Sequence, residues 1–499
     1  MAPTLDSRAH LTRLLQRAGF DAGGDAVDAA EKAGFDATLD RLLGAQDADD
    51  DSGSVPAPHF GPLPPRTSEA ARRKKEGAGA KKREKEKKSA PAAPGDAASS
   101  GAPPSPRGTA GASPSPHGTE GTDPRKDPVR KHYRQVLRAQ RKELTLWWLE
   151  RMVATAQPWT EKRTLLWHNH WATSIQKVKS GAAMLQQNET LRRLGGGDFR
   201  TLARAMVVDP ALMVWLDADG STAKAPNENL GREFMELFVL GVGNYSETDV
   251  RQAAAALTGW TLDRHANPWK PVFRAARHAK GPETVVGRTA DFTARSLVDH
   301  LVALPASHAH VAGRMWGALV SNENKPSASA LARLVKAYGT ERDTTALFRA
   351  LFTDAAFADP ANVLVKQPVE YVVGSLRALG VRPRDLPEKQ RAALLLHTLT
   401  GLGQVPFAPD SVGGWPAGAA WLTTSAAQAR IGFAQTLVRH ADLGEIEKTA
   451  AKDRAELLAR TLGVGEWGAA TRGVLTAAAR DPMRITALAL TAPEHLVLR

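Results

Sequence analysis

The chain of 499 residues contains no cysteine. Disulfide scaffolds, thiolate metal sites, iron–sulfur clusters and cysteine nucleophiles are thereby excluded. It also lacks any uninterrupted apolar stretch near the roughly 18 to 20 residues that a membrane-spanning helix needs, so no such helix is expected. Its first residues, Met1-Ala2-Pro3-Thr4-Leu5-Asp6, carry no basic segment followed by an apolar run, and no twin arginine appears in the first thirty residues. A cytoplasmic location is the default reading. A phosphate-binding Walker loop, a Gly-x-Ser-x-Gly elbow, a His-Glu-x-x-His helix and a dinucleotide glycine fingerprint are all missing, which removes the enzyme classes they mark. What is present, 42% hydrophobic and 24% charged residues, is the profile of a globular protein.

Leu11, Leu14, Leu15 and Ala18 are spaced as one helical face that stops at Gly19, and a second short helix is expected over Thr38-Leu39-Asp40-Arg41-Leu42-Leu43. The composition then changes to Ala, Pro, Gly, Ser, Lys and Glu with almost no large apolar side chain. Such a segment does not bury enough surface to offset its ordering entropy, and residues 46–128 read as a disordered insertion. Between Arg66 and Lys131 there are 16 Lys plus Arg against 8 Asp plus Glu, a net of +8 out of the chain's +13. The rest is only mildly basic. The densest run, Lys81 to Lys88, suits counterion release on a polyanion such as nucleic acid, but its interspersed glutamates and lack of aromatics favour a solvated linker.

From Val129 onward helical spacing dominates, with Leu144, Trp147, Trp148 and Met152 on one stripe and Leu202, Ala205, Met206 and Leu212 on another. β-branched alternation is confined to short pieces such as Thr284-Val285-Val286, and no solenoid repeat is found. Breaks near Asn267-Pro268 and Pro383 to Pro387 have helices on both sides. The expected fold is therefore mainly α: N-terminal helices over 1–45, the basic insertion over 46–128, and one large helical domain over 129–499.

The densest polar cluster runs from Pro226 to Gly241. Asn227 is the expected N-cap and Gly241 the stop. Leu230, Phe234, Leu237 and Phe238 form its apolar stripe, while Asn229, Arg232, Glu233 and Glu236 share a face at i, i+3, i+4 and i+7. That face suits a divalent metal held by Glu233 and Glu236, or an acid–base pair; equally, Glu228 with Arg232 and Arg232 with Glu236 fit plain i,i+4 ion pairs. In Thr160-Glu161 through Trp167-His168-Asn169-His170-Trp171, Thr160 is the expected cap. The two histidines lie about 200° apart on a continuous helix, so they meet at one metal only where the helix ends. One histidine in the core and one exposed is the reading favoured by residue type. Ser246-Glu247-Thr248-Asp249 resembles a capping box for a helix ending near Thr258-Gly259-Trp260. His278 lies in a basic, turn-rich stretch, either functional or simply polar. Lys366-Gln367-Pro368-Val369-Glu370 puts proline at a helix start with an acid in its first turn. Gly413-Gly414-Trp415-Pro416 is a loop of the kind that lines a ligand groove, although packing explains it equally well.

Taken together, Arg17-Ala18-Gly19-Phe20, Trp167-His168-Asn169-His170-Trp171-Ala172-Thr173-Ser174, Asp209-Pro210-Ala211-Leu212-Met213, Pro226 to Leu237, Leu240 to Tyr245, Leu257-Thr258-Gly259-Trp260, Pro368 to Val373, Gly414-Trp415-Pro416 and Ala492 to Leu496 resemble the bacterial family catalogued as domain of unknown function 1800. The resemblance spans nearly all of the chain outside the insertion. It implies no established activity. It does imply joint action with a sulfatase-like or phosphatase-like partner protein, sometimes outside the cytoplasm, and a shared polar centre of the Asn-Glu-Asn/Arg-Glu helix with the His-Asn-His segment. The chain departs from the family pattern at Ala218, where an asparagine is usual after Asp217, and at Ala279 and Glu283, where His278 is usually followed by an aspartate and a lysine. If those positions make the site, this copy has lost it.

Two readings stay open. In one, His168, His170, Asn229, Arg232 and Glu233 form a catalytic centre, with His170, Glu233 and Glu236 on a divalent metal that activates water for hydrolysis, and with Asn227, Glu228, Trp260 and His278 around it. In the other, a non-catalytic scaffold or accessory subunit uses the same residues as a buried ion-pair and hydrogen-bond network.

Overall fold

The computed structural model describes residues 7–44, 55–65 and 127–499. The chain forms two units, one of Met1–Gly61 with Gln140–Arg499 and one of Pro62–Ala139. In the second unit the described residues from Pro128 onward belong to helix Pro128–Ala154. The first unit is built of helices, as the spacing of apolar residues demands, and three small antiparallel pairings are its named strands among the described residues. Two are hairpins, Trp260–Asp263 with Lys270–Phe273 and Glu283–Val285 with Arg288–Ala290. The third joins Leu364–Val365 to Val497–Leu498 and so fastens the end of the chain to its middle.

Helix Ser7–Ala18 ends just before Gly19, and Phe35–Gly44 covers the second expected helix; between them Gly24–Ala33, too alanine-rich to show a clear stripe, is also helical. Arg17 is completely buried. Its guanidinium donates to the carbonyls of Val320 (2.6 Å), Asn362 (2.6 Å) and Leu498 (3.2 Å), so one side chain satisfies acceptors from three distant segments.

Most of the expected insertion over 46–128 lies outside the described residues. Where residues 55–65 are described, the expectation of an unpacked chain is corrected: Val55 and Phe60 are buried, the Trp147 indole donates to the Val55 carbonyl at 3.4 Å, and Asn267 Nδ2 donates to the Phe60 carbonyl at 2.7 Å. Two large side chains in an otherwise polar stretch are enough to anchor it. They were submerged in the composition of the whole segment.

Two large apolar clusters fill the first unit. Helix Pro158–His170 contributes Trp159, Leu166 and Trp167 to one and Leu165 to the other, and nearly all its residues are buried. A helix with apolar neighbours all round has no solvent face. It begins at Pro158, in the first helical position, with Gln157 before it; the expected cap Thr160 is instead internal, and its carbonyl accepts from the Thr164 hydroxyl.

Candidate functional site

The His-Asn-His segment forms the last turn of helix Pro158–His170, the place where a shared metal would require the helix to end, yet the two rings serve different partners. Both rings are enclosed, His168 at 1% and His170 at 2% exposure, which corrects the expectation of one exposed histidine. The reason is the all-round burial of this helix: opposite faces both point inward. His168 Nε2 accepts the Phe407 backbone N–H at 3.0 Å, so its proton resides on Nδ1, and burial depresses its pKa to about 3. Trp148, Phe407 and Trp415 surround the ring at centroid distances of 4.9 to 5.4 Å among themselves and with it.

His170 Nε2–H donates to the Phe238 carbonyl at 2.9 Å, and His310 Nε2–H donates to that of Leu237, also at 2.9 Å. These carbonyls sit at the end of a π-helical turn, Phe234–Val239, which directly continues helix Glu228–Glu233. The last carbonyls of a helix have no partner within it, and two imidazoles from other helices supply the missing donors. Burial, then the positive charge of Arg314 and His310, holds the His170 pKa far below its ordinary value. The Asn-Glu helix and the His-Asn-His segment therefore meet, through main-chain carbonyls.

Their charged groups do not meet. Asn227 is the N-cap as expected, accepting the Leu230 N–H at 3.2 Å, while its Nδ2 and that of Asn229 donate to the Leu216 carbonyl. Arg232 forms a two-pronged pair with Glu247 at 2.6 and 2.7 Å, so the expected i,i+4 partners Glu228 and Glu236 are replaced by an acid on the next helix. Glu236 is engaged by the Tyr245 hydroxyl, and Glu228 is exposed. Glu233 is half-buried, its pKa raised by burial and by Glu236. Among the described residues no three His, Asp or Glu side chains converge to hold a metal ion, so the expected set of His170, Glu233 and Glu236 is not brought together. The turn widens at Phe234, just after Glu233, so the simple i,i+3 register assumed for Glu233 and Glu236 fails there. Gly231 lets this helix approach the next: a Cβ would come within 3.1 Å of the Ala254 nitrogen and the Val250 carbonyl.

Trp260 and His278 belong to the hairpin region instead. The Trp260 ring packs on Phe273 at 5.3 Å, and His278 Nδ1 lies 3.0 Å from the Thr258 carbonyl, pinning the loop to the end of helix Glu247–Ala256, whose Ser246–Asp249 capping box is present. Of the family departures, Ala218 is buried in the core and Glu283 is a buried acid that accepts the Phe292 N–H at 3.1 Å. Both are absorbed into packing.

Three other motifs do converge. Asn169 and His170, the Gln367–Glu370 turn, and Trp415-Pro416 line a cleft of about 350 Å³, closed on its far side by Arg314 and the stretch around Asn322 to Lys325. Asn169 Oδ1 accepts the Trp415 N–H at 2.8 Å. Gly414 has φ +89°, and a Cβ on it would overlap Asn169, which explains the glycine before the tryptophan. Pro368 opens helix Pro368–Ala378 with Glu370 bonded back to the Gln367 N–H at 3.1 Å, as the spacing predicted.

Sequence reasoning missed several buried charges in these helices. Lys162 and Glu370, both buried, pair at 2.6 Å. Glu161, fully enclosed, accepts from Arg192 Nε and Nη2 at 2.7 and 2.9 Å, from Arg151, and from the Trp148 indole at 2.7 Å. Burial alone pushes its carboxyl up; the two guanidiniums outweigh that and hold it at about 2. Lys366, driven down to about 7 by burial, contacts His495 Nδ1 at 3.2 Å. Asp209, driven up to about 7 by burial, caps helix Pro210–Trp215 and accepts from Gln187 at 2.7 Å. The available signal was Glu161-Lys162-Arg163 set between tryptophans, three charges in a segment without a polar face.

Neither a curated protein nor a solved structure matches the chain. A model of the family described as "Protein of unknown function (DUF1800)" matches residues 13–497, so the chain, whose Arg17, His-Asn-His, Asn-Glu and Gly-Trp-Pro segments interlock as just described, belongs to that family.

Proposed function

We propose that this protein is a non-catalytic helical scaffold or accessory subunit, in which the family's polar motifs lock helices together, and that it acts with a sulfatase-like or phosphatase-like partner. The observation that carries the reading is that both motif histidines spend Nε2 on main-chain groups, the Phe407 N–H and the Phe238 carbonyl, while enclosed and neutral. A general base or metal ligand needs a ring nitrogen with a free lone pair within reach of substrate; His168 keeps its proton on Nδ1, and the one free lone pair of His170, on Nδ1, is enclosed. The partner rests on the family resemblance alone. The alternative, a metal-assisted hydrolase, asks Glu236 to leave Tyr245 and Glu233 to find ligands elsewhere.

Elemental analysis of full-length, untagged protein after a mild chelator wash separates the two readings. A scaffold holds no stoichiometric metal, and Glu233→Gln leaves its composition unchanged. A stoichiometric metal that disappears in Glu233→Gln with the melting temperature preserved would establish the hydrolase reading instead. The partner is tested by co-purification with a co-expressed sulfatase-like or phosphatase-like protein.

A further inference from the structure

We infer that the cleft between the His-Asn-His turn, the Gly-Trp-Pro loop and helix Pro305–Leu319 binds the oxyanion of a small organic acid or phosphate ester. The inference stands apart from the scaffold reading, since a scaffold and an enzyme alike can carry such a site.

The argument is one of unmatched donors. Arg314, on helix Pro305–Leu319, and Lys325, on the following loop, both line the cleft and have no hydrogen bond or ion pair among the described residues. Asn169 uses its oxygen on the Trp415 N–H and leaves Nδ2 without an acceptor, and the indole N–H of Trp415 is likewise without one. Two cations and two neutral donors thus border one concave space. Arg314 and Lys325 are exposed, so solvent satisfies them, and a group that only accepts exchanges that solvent for charge-assisted hydrogen bonds. A guanidinium and an ammonium add the charge that favours a carboxylate or phosphate over a neutral sugar.

The carboxylates at the cleft agree with this. Glu370 is already neutralised by Lys162 at 2.6 Å, and Glu323, exposed like Arg314 and Lys325, leaves the lining with one positive charge in excess. The acceptors that lack donors in its wall, His170 Nδ1 and Asn322 Oδ1, are enclosed and do not set the character of the open space. The volume of about 350 Å³ lies at the low end of the roughly 300 to 1,000 Å³ typical of small-ligand sites, enough for an oxyanion with a body of a few carbons. The Trp415 ring, backed by His168 at 5.4 Å, is held rigid against that body.

Isothermal titration of the full-length protein with inorganic phosphate, glycerol phosphate, glucuronate and glucose, at millimolar concentration, tests the inference. At least one of the three anions is expected to bind with an affinity that falls as salt is raised, and glucose is not. Arg314→Gln is expected to weaken that binding by roughly tenfold with an unchanged melting temperature, and Lys325→Gln, at an exposed position, to weaken it in the same direction. Inorganic phosphate binding as tightly as glycerol phosphate would assign the free ion as ligand; tighter binding of the ester or of glucuronate would assign an organic anion. Silence from all three anions, or wild-type affinity in both variants, overturns the proposal. Neither result touches the scaffold reading, which is read from metal content.

Discussion

Glu161→Gln is expected to destabilise the protein by about 3 to 5 kcal/mol, because it leaves buried Arg192 with only the half-exposed Glu189 as counter-charge and strips Arg151 of the Glu161 charge. The geometry supports the lower half of that range. A glutamine retains one acceptor oxygen for the Trp148 indole or for one guanidinium, so the loss is chiefly charge and one prong of the Arg192 pair. An independent route gives a similar size: a carboxyl held at about 2 in place of its ordinary 4.5 corresponds to roughly 3 kcal/mol of folding free energy. The sign follows from the depressed folded value. That stability is fully present above about pH 4.5 and is lost as pH falls from there through about 2, where the folded carboxylate finally takes its proton. Urea denaturation followed by tryptophan fluorescence measures both effects, at neutral pH for the mutational cost and as a series from neutral to acid for the linkage. The wild type should lose its advantage over the variant as the acid limit is approached. A variant within about 1 kcal/mol of wild type at neutral pH, or two parallel acid profiles, would refute the account of Glu161 as the centre of a buried charge network.

Asp209 carries the opposite sign. Its folded pKa, raised to about 7 by burial, makes its contribution complete below about pH 4 and progressively lost as pH rises to about 7, so Asp209→Asn should raise the denaturation midpoint at pH 8 and flatten the slope between those values, while a lowered midpoint at pH 8 would count against it. Gly374→Ala, in helix Pro368–Ala378, would drive a methyl group into the Phe20 carbonyl oxygen and is expected to cost about 1 to 3 kcal/mol; a melting temperature equal to wild type would show that the helix can shift away.

Read from the sequence alone, most elements with strong local signals are correct, Thr160 as a cap being the exception. Asn227 as N-cap, the Ser246–Asp249 capping box, Pro368 with Glu370, and the stop at Gly19 each depend on a few adjacent residues whose hydrogen-bonding capacity is intrinsic. The mainly helical class follows from the same local spacing, and so does the family, whose ordered segments are strings of particular residues. The partners of Arg232 and of the two histidines belong to another kind of information. Arg232 had two acids within a helical turn and pairs with Glu247 across a gap of 15 residues; His168 is satisfied by Phe407, 239 residues away.

Helical phase specifies which face a side chain leaves by, and only tertiary packing specifies what lies there. For helix Pro158–His170 both faces are interior, so the two histidines, about 200° apart, reach different partners and neither is exposed. Likewise the cleft joins Asn169, Gln367 and Trp415, pieces up to 246 residues apart whose motifs were each visible alone. Sequence sets the donors and acceptors and the local turns that aim them; the burial that moves Lys366 and Asp209 from their ordinary pKa values, and the guanidiniums that hold Glu161 down against its burial, exist only once distant segments pack together.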